Sequence, residues 1–416
     1  MEEVKYVGKI GTSQMTPTYE DILRADKMKS DKIRKTSLIY SPTFSMLSGS
    51  KVFLKSEFQQ KTGAFKIRGA YNKILNLKEE EKQKGVIAAS AGNHAQGVAY
   101  AANAEKIKCT IVMPKNASPA KVSATKGYGA EVVLEGTNYD EASTKAKEIA
   151  NKTGAILIPA FDDPEIIAGQ GVIGLEILEQ MPDVEEVYLP IGGGGLAAGV
   201  LIAIKTTHPN VKIIGVQSRS FPSMYESWKK GSITSAGGAR TIADGISVKV
   251  PGQTTFSIIK ELIDDIVLVD DSDIIKAMFL LMERMKVVIE PAGAVGLAYL
   301  ISKKPSPGKK VVSILAGGNI DMYLLGQIVD KGLAAMGRLL KISVLLPDRP
   351  GAFKEIVDEI SAANANIVEV VHDRLSSNIG AGSASVTLSL ETAGKEQSDK
   401  LIESFQKKNI IFRLLT

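Results

Sequence analysis

Cysteine is nearly absent: Cys109 stands alone in 416 residues. A single thiol excludes an intrachain disulfide and points to a reducing compartment. It lies in the apolar run Cys109-Thr110-Ile111-Val112-Met113, where a buried structural thiol is expected rather than a reactive one. Long hydrophobic runs are missing too. Without about 18 consecutive apolar residues no membrane-spanning helix is expected, and Met1-Glu2-Glu3-Val4-Lys5 lacks the pattern of a signal peptide. The expected location is the cytoplasm. Charge of one sign is nowhere concentrated: 51 basic residues face 46 acidic ones, for a net +5 scattered along the chain. With no basic arm and no basic-aromatic segment, a nucleic-acid partner is not expected. Internal repeats and low-complexity tracts are absent as well.

What is present is a soluble globular composition, 44% hydrophobic and 23% charged, in a chain long enough for two or three domains. Residues 1–17 are polar and irregular, and an amphipathic helix is expected from Tyr19 to about Lys35. Short apolar runs then recur at Val52–Leu54, Gly85–Ala89, Cys109–Met113, Glu131–Leu134, Ala155–Ile158, Glu186–Pro190, Lys212–Val216, Ile266–Val269 and Lys310–Leu315. Segments of helical period, such as Glu141–Lys152 and Ala198–Thr207, separate most of them. Strands alternating with helices predict an α/β fold with parallel-rich sheets covered on both faces. Two sheets with a cleft between them are expected, because the chemical motifs fall in both halves. After Gly337 the pattern changes to strand Leu339–Leu346, helix Gly351–Ala363, strands Asn366–Asp373 and Ser383–Leu390, helix Gly394–Lys407 and strand Ile410–Leu415. That order is the ferredoxin-like βαββαβ split. The domains expected are 1–337 and 338–416.

Three turns carry chemistry. Lys66 sits between the Val52–Leu54 strand and a helical pattern over Lys66–Leu75, flanked by Phe65 and small residues. Alone it reads as a solvated lysine at a helix start; partly desolvated, it would favour the neutral amine that attacks a carbonyl. Gly192-Gly193-Gly194-Gly195-Leu196 follows a strand and opens an Ala-rich helix, so its amides and the helix N-terminus suit a phosphate. It does not match Gly-x-Gly-x-x-Gly, and a Walker Lys-Ser/Thr pair is missing. Ser90-Ala91-Gly92-Asn93-His94 is a third strand-to-helix turn, which by itself reads as a cap.

Together these stretches resemble the threonine dehydratase (threonine ammonia-lyase) branch of the fold-type II pyridoxal-phosphate enzymes. The family's Ser-Phe-Lys-x-Arg-Gly-Ala motif is matched by Ala64-Phe65-Lys66-Ile67-Arg68-Gly69-Ala70, with its serine replaced. The resemblance implies a two-domain catalytic region, with a smaller subdomain of about 55–155 inserted in the larger. It implies pyridoxal 5'-phosphate carried by Lys66, the catalytic residue. Phe65, Asn93, Gly192, Gly193, Gly194, Gly195, Leu196, Glu290 and Ala316 would line the cofactor, and Ser90, Ala91, Gly92, Asn93 and His94 the substrate carboxylate. His94 is expected to position its turn rather than act as a base. Glu290, in Val288-Ile289-Glu290-Pro291-Ala292-Gly293-Ala294, is a candidate for holding the ring or a water. Thr241-Ile242-Ala243-Asp244-Gly245-Ile246 would border the same cleft.

Serine-racemising relatives carry a second serine where Ala91 stands, and alanine exchanges no proton. Where those relatives place acidic metal ligands this chain has Gln217-Ser218-Arg219-Ser220, so no metal is expected. The family's usual Ser or Cys beside the pyridine nitrogen is Ala316 here. Asp348-Arg349-Pro350-Gly351-Ala352-Phe353, followed by Asn364-Ala365-Asn366-Ile367, resembles an ACT regulatory domain. That implies an amino-acid effector at Asp348, Arg349, Gly351, Ala352 and Phe353, and a homo-oligomer, dimer or tetramer. The implied reaction eliminates water from an amino acid: Lys66 takes the α-proton, the β-hydroxyl leaves as water, and the released enamine hydrolyses to a 2-oxo acid and ammonium. Threonine or serine as preferred substrate, and biosynthetic or catabolic role, stay open. So do another fold-type II activity, such as serine dehydratase or threonine synthase, and a non-enzymatic amino-acid sensor.

Overall fold

The structure is a computed structural model describing residues 16–28, 31–238, 240–376 and 379–415. Most of the polar stretch 1–17 therefore lies outside the described residues. The chain forms two compact units, Met1–Asp321 and Met322–Thr416. The helix Met322–Ala335 groups with the second, whereas the sequence reading drew its boundary after Gly337.

In the first unit the strands are β1 (Leu38–Tyr40), β2 (Lys51–Lys55), β3 (Val86–Ala89), β4 (Cys109–Met113), β5 (Glu131–Leu134), β6 (Ile156–Leu157), β7 (Glu186–Pro190), β8 (Lys212–Ser218), β9 (Asp265–Val269) and β10 (Lys310–Ile314). They build a six-stranded sheet in the order β1-β2-β10-β7-β8-β9 and a four-stranded sheet in the order β5-β4-β3-β6. Every neighbouring pair is parallel except β1 with β2. The chain leaves the larger sheet after β2, completes the smaller one and returns by the helix Pro164–Gln180. All residues of β3 and β7 are buried, as expected for strands covered on both faces. Asp163 starts the returning helix, accepting hydrogen bonds from the amides of Glu165 and Ile166, and Pro164 fits its first turn.

The first helix is shorter than the apolar spacing suggested. It spans Tyr19–Met28, and by Asp31 the chain is in a turn. Tertiary bonds claim the backbone beyond: Arg34 pairs through its amide and carbonyl with the Gln60 side chain, and the Thr36 carbonyl accepts from Lys55 Nζ. Those groups are then unavailable to a helical ladder. No helix of the described residues is long and apolar enough to cross a membrane.

The second unit carries β11 (Leu339–Pro347), β12 (Asn366–Asp373), β13 (Ser383–Glu391) and β14 (Phe412–Leu414), an antiparallel sheet ordered β12-β13-β11-β14. Leu340, Ile342, Val344 and Leu346 alternate inward along β11, as do Ala384, Val386, Leu388 and Leu390 along β13. All but Ala384 pack with Ile356 and Ile360 of the helix Ala352–Ala362, and with Leu401 and Phe405 of the helix Lys395–Lys407. Edge strand β12 leaves Val368, Val370 and Val371 exposed.

Candidate active site

Lys66 opens the helix Lys66–Leu75, eleven residues beyond the end of β2. The Phe65 amide donates to the Ala316 carbonyl (3.0 Å), and Ala64 bridges to Gly317, so the turn before the lysine is sewn to the segment that follows β10. Lys66 is half-buried, and its Nζ donates to the Ala160 carbonyl at 2.7 Å and lies 5.4 Å from the centre of the Phe65 ring. Burial lowers its amine to about 8, partly offset by the Glu290 carboxylate. Near neutral pH the lysine thus keeps an appreciable share of the nucleophilic form.

Next to Ala160, Phe161 reaches the glycine loop. A Cβ placed on Gly193 would lie 2.4 Å from the Phe161 ring, and one on Gly195 would lie 3.0 Å from its backbone. Gly194 has φ +100° and begins the helix Gly195–Lys205, a conformation open to glycine at little cost. The Gly193 carbonyl is held by Thr255 Oγ1 (2.6 Å), and the Asp162 carboxylate caps the helix Gln253–Leu262 by accepting from the amides of Gln253, Thr254 and Thr255. Fixed in this way, the loop presents the first amides of a buried helix, which have no acceptor within that helix.

Ser90, Ala91, Gly92 and Asn93 are half-buried at the turn after β3, with Ser90 Oγ accepting from the Gly92 amide. The helix Asn93–Ala104 that follows crosses behind the lysine: a Cβ on Gly97 would come within 3.2 Å of the Lys66 carbonyl carbon. Asn93 is fixed at both ends of its amide. Its Nδ2 donates to Glu290 Oε1 (2.7 Å), and its Oδ1 accepts from Asn319 Nδ2 (2.8 Å). Glu290 is 6% exposed, and burial pushes its carboxyl up to about 7, against the bond from Asn93 and reinforced by Asp244. At the mouth Asp244 pairs with Lys121 (3.1 Å). The His94 imidazole turns away: Nε2 donates to the Ile158 carbonyl (2.9 Å), and burial drops it to about 3, so the ring is neutral. Ala316 is buried among the apolar residues of the larger sheet's core.

Hydrogen bonds and close contacts therefore connect Phe65 with Ala316, Asn93 with Glu290 and Asn319, and Lys66 through Ala160 and Phe161 with the glycine loop. Asp162 and Thr255 join them, as does Gln96, whose Oε1 accepts from Asn319 Nδ2 at 3.3 Å. Asn319 was within reach of sequence reasoning, since it ends Ala316-Gly317-Gly318-Asn319. Asp162 and Thr255 carry no local signal, because each acts only where two distant segments meet. In the second unit Gly351 takes φ +86°, Asp348 pairs with Arg374 and Arg349 with Glu355 on an exposed loop, while Ala352 is buried and Phe353 packs against the core.

The sequence matches the family described as pyridoxal-phosphate dependent enzyme over residues 29–317. The chain belongs to this family. It is 47% identical to the L-threonine ammonia-lyase of Thermotoga maritima over 384 residues, 92% of this chain and 96% of that protein. It is also 47% identical to the catabolic L-threonine dehydratase of Escherichia coli K12 over 320 residues, 76% of this chain and 97% of that one. Among solved structures, threonine deaminase isoform 2 of Solanum lycopersicum superposes with a TM-score of 0.72 at 38% identity, covering 76% of this chain and 90% of that one. Maize serine racemase gives 0.73 at 36% identity, covering 77% and 99%.

The residues present fit the family's cofactor. A half-buried amine tuned toward neutrality suits a carbonyl carbon. A glycine cradle that a Cβ on Gly193 would fill with a clash, opening a buried helix, suits a phosphate.

Proposed function

We propose that this chain deaminates L-threonine to 2-oxobutanoate and ammonia, with L-serine to pyruvate as a second reaction. The observation that carries the reading is the half-buried Lys66 amine, which donates to the Ala160 carbonyl beside the Phe161 that packs on the glycine loop and which burial lowers to about 8. The relatives named for threonine ammonia-lyase, deaminase or dehydratase activity support the choice of substrate.

Pyridoxal phosphate, when bound, supplies an electron sink for the substrate's α-carbon. The chain does the rest. Lys66 Nζ, neutral in part at working pH, carries the cofactor and then takes the α-proton. Amides of Gly192–Leu196 would receive the phosphate. The turn Ser90–Asn93 receives the substrate carboxylate through its backbone, with His94 neutral and locked on Ile158 beneath it. Asn93, gripped by Glu290 and Asn319, would hold the cofactor with a fixed amide. Ala91 offers no second acid or base, which favours elimination over racemisation. We take the exposed turn Asp348–Phe353 as an amino-acid effector site, the exposed edge β12 as a homo-oligomer contact and the cytoplasm as the compartment.

Purified protein loaded with cofactor, given threonine or serine with and without isoleucine, valine and nucleotides, tests this reading. Ammonia and 2-oxobutanoate in equal amounts from threonine are expected. Cofactor binding without 2-oxo acid from either substrate would overturn it in favour of an amino-acid sensor.

A further inference from the structure

Two residues past Lys66, Arg68 points into the protein and meets two carboxylates at once. Its Nε and Nη2 donate to Glu57 Oε2 and Oε1 at 2.7 and 2.9 Å, and its Nη1 and Nη2 to Glu176 Oε1 and Oε2, both at 2.9 Å. Lys55 completes the group. Its Nζ has three acceptors, Glu176 Oε2, the Thr36 carbonyl and Gln180 Oε1, which matches the three protons of an ammonium. Two cations and two anions thus balance in a region where none of the four is more than 3% exposed. Burial alone would raise the Glu176 carboxyl, but Arg68 and Lys55 hold it below its ordinary range.

Such a quartet is a poor device for stability alone, because apolar side chains of similar volume commonly do as well in a core. What it specifies is geometry. The four charges come from the end of β2, the turn Glu57–Gln59, the lysine helix and the helix Pro164–Gln180. At the same seam the helices touch backbone to backbone: a Cβ on Gly69 would lie 2.7 Å from the Ile166 carbonyl oxygen, and one on Gly169 would lie 2.6 Å from that of Arg68. One residue along, a Cβ on Gly199, in the helix behind the glycine loop, would lie 2.4 Å from the Ile167 carbonyl oxygen. The helix Pro164–Gln180 is therefore pressed against both the helix that carries Lys66 and the helix that opens at the glycine loop. Glycine seams set the spacing, Asn72 and Lys73 tie the far part of the lysine helix to Glu165 and Asp163, and the Arg68 fork is the tie nearest Lys66. In a helix, side chains two positions apart leave the axis about 200° from each other. A bidentate grip on Arg68 at the back consequently sets the aim of Lys66 at the front.

We propose that Arg68, Glu57 and Glu176 are positioning residues, a buried ionic lock that fixes the roll of the lysine helix and so the place of the Lys66 amine relative to the glycine loop. The proposal rests on Lys66 being the cofactor lysine. Two charge-conserving variants test it in the holoenzyme: Arg68→Lys, which keeps the charge but loses the fork, and Glu57→Asp, which draws the guanidinium back by one methylene. Glu186→Asp serves as the control. It perturbs another buried carboxylate, bonded to Tyr188 and Ser306 at the start of β7 rather than at the glycine-loop end. The readouts are the pH midpoint of the cofactor's visible band, the yield of borohydride-trapped cofactor at Lys66 by peptide mass spectrometry, kcat and KM, and the melting temperature.

Arg68→Lys is expected to lower kcat roughly a hundredfold, the scale of an ångström's misplacement, with KM within about threefold and a displaced midpoint. Glu57→Asp should show the same pattern at roughly a tenth of that loss. Glu186→Asp should lower the melting temperature while the midpoint and kcat stay native. Cofactor trapped elsewhere than Lys66 in the unaltered protein would sink the reading of the site, and the lock with it. Trapping at Lys66 with native midpoint and kcat in Glu57→Asp, however far the melting temperature drops, would overturn the lock alone.

Discussion

The two units handle polarity in opposite ways. Among the described residues of the second unit the core cluster is apolar, the buried polar side chains are the small Ser389, Thr392 and Ser398, and ion pairs such as Lys354 with Asp358 lie at the surface. In the first unit Lys55, Glu57, Arg68, His94, Glu176 and Glu290 are all buried. Burying a charge is costly unless it is paired and hydrogen-bonded, so a fold retains that many where they set something in place. The lesson is about where chemistry happens in each. The first unit keeps charged groups buried and bonded, while in the second the charged side chains of the turn at Asp348 and Arg349 and the valines of β12 lie exposed.

The sharpest break in that contrast is Lys66→Ala. Loss of the visible cofactor band and of ammonia release to the limit of detection is expected, since no other amine approaches the Ala160 carbonyl among the described bonds. Turnover near the native rate would end the claim that the dry interior of the first unit is the reaction centre. A smaller effect is expected from ending the chain at Asp321, which removes the second unit at the division between the two compact bodies. Activity should survive and any response to amino acids should vanish. If the full chain is regulated, substrate affinity should move with effector by a factor of about 5–150, the usual span of linkage. An unchanged effector curve in the shortened protein, measured by titration of initial rates, would place regulation in the catalytic unit.

Glu290 tests what a dry charge costs. Its carboxyl is raised from 4.5 to about 7, so between those values the folded chain binds a proton that the unfolded chain has released. Stability then falls as pH climbs through that window and stays lowered above it. Glu290→Gln removes the loss and keeps an oxygen for Asn93. Denaturant melts of cofactor-free protein should show the variant more stable at pH 8, by at most about 3 kcal/mol, with the gain vanishing below pH 4.5. A variant less stable than the parent at pH 8 would mean that the carboxylate is stabilised where it sits.

The fold was legible in the sequence wherever period and burial agree. The recurrent apolar runs are the parallel strands, and the change of pattern after Gly337 is the antiparallel sheet, because both kinds of strand carry their environment in their own residues. The first helix was overread, since nothing local reveals that Arg34 and Thr36 bond to Gln60 and Lys55. The ion quartet was equally hidden: Lys55, Glu57, Arg68 and Glu176 look like surface charges until four segments converge. At the site, turn motifs named the lysine, the glycine loop and Asn93, whose chemistry is local. Asn93's grip by Glu290 and Asn319 spans 197 and 226 residues and could not be read from spacing.

The smallest expected effect concerns Ala316, where the family resemblance calls for a hydroxyl or thiol beside the ring nitrogen. The residue is 3% exposed in the first unit's apolar core, and its carbonyl already accepts from the Phe65 amide. In Ala316→Ser the new hydroxyl has no partner in cofactor-free protein, so melts should show a loss of about 1–3 kcal/mol, the cost of an unsatisfied buried polar group. With cofactor bound, the ring nitrogen would supply that partner, and most of the loss should be recovered. A neutral hydrogen bond contributes only about 0.5–1.5 kcal/mol net, so kcat should change by roughly tenfold or less. The pair of melts is the discriminating measurement. Equal destabilisation with and without cofactor would mean that the ring nitrogen lies elsewhere. An inert parent chain switched on by the serine would return the protein to the sensor reading.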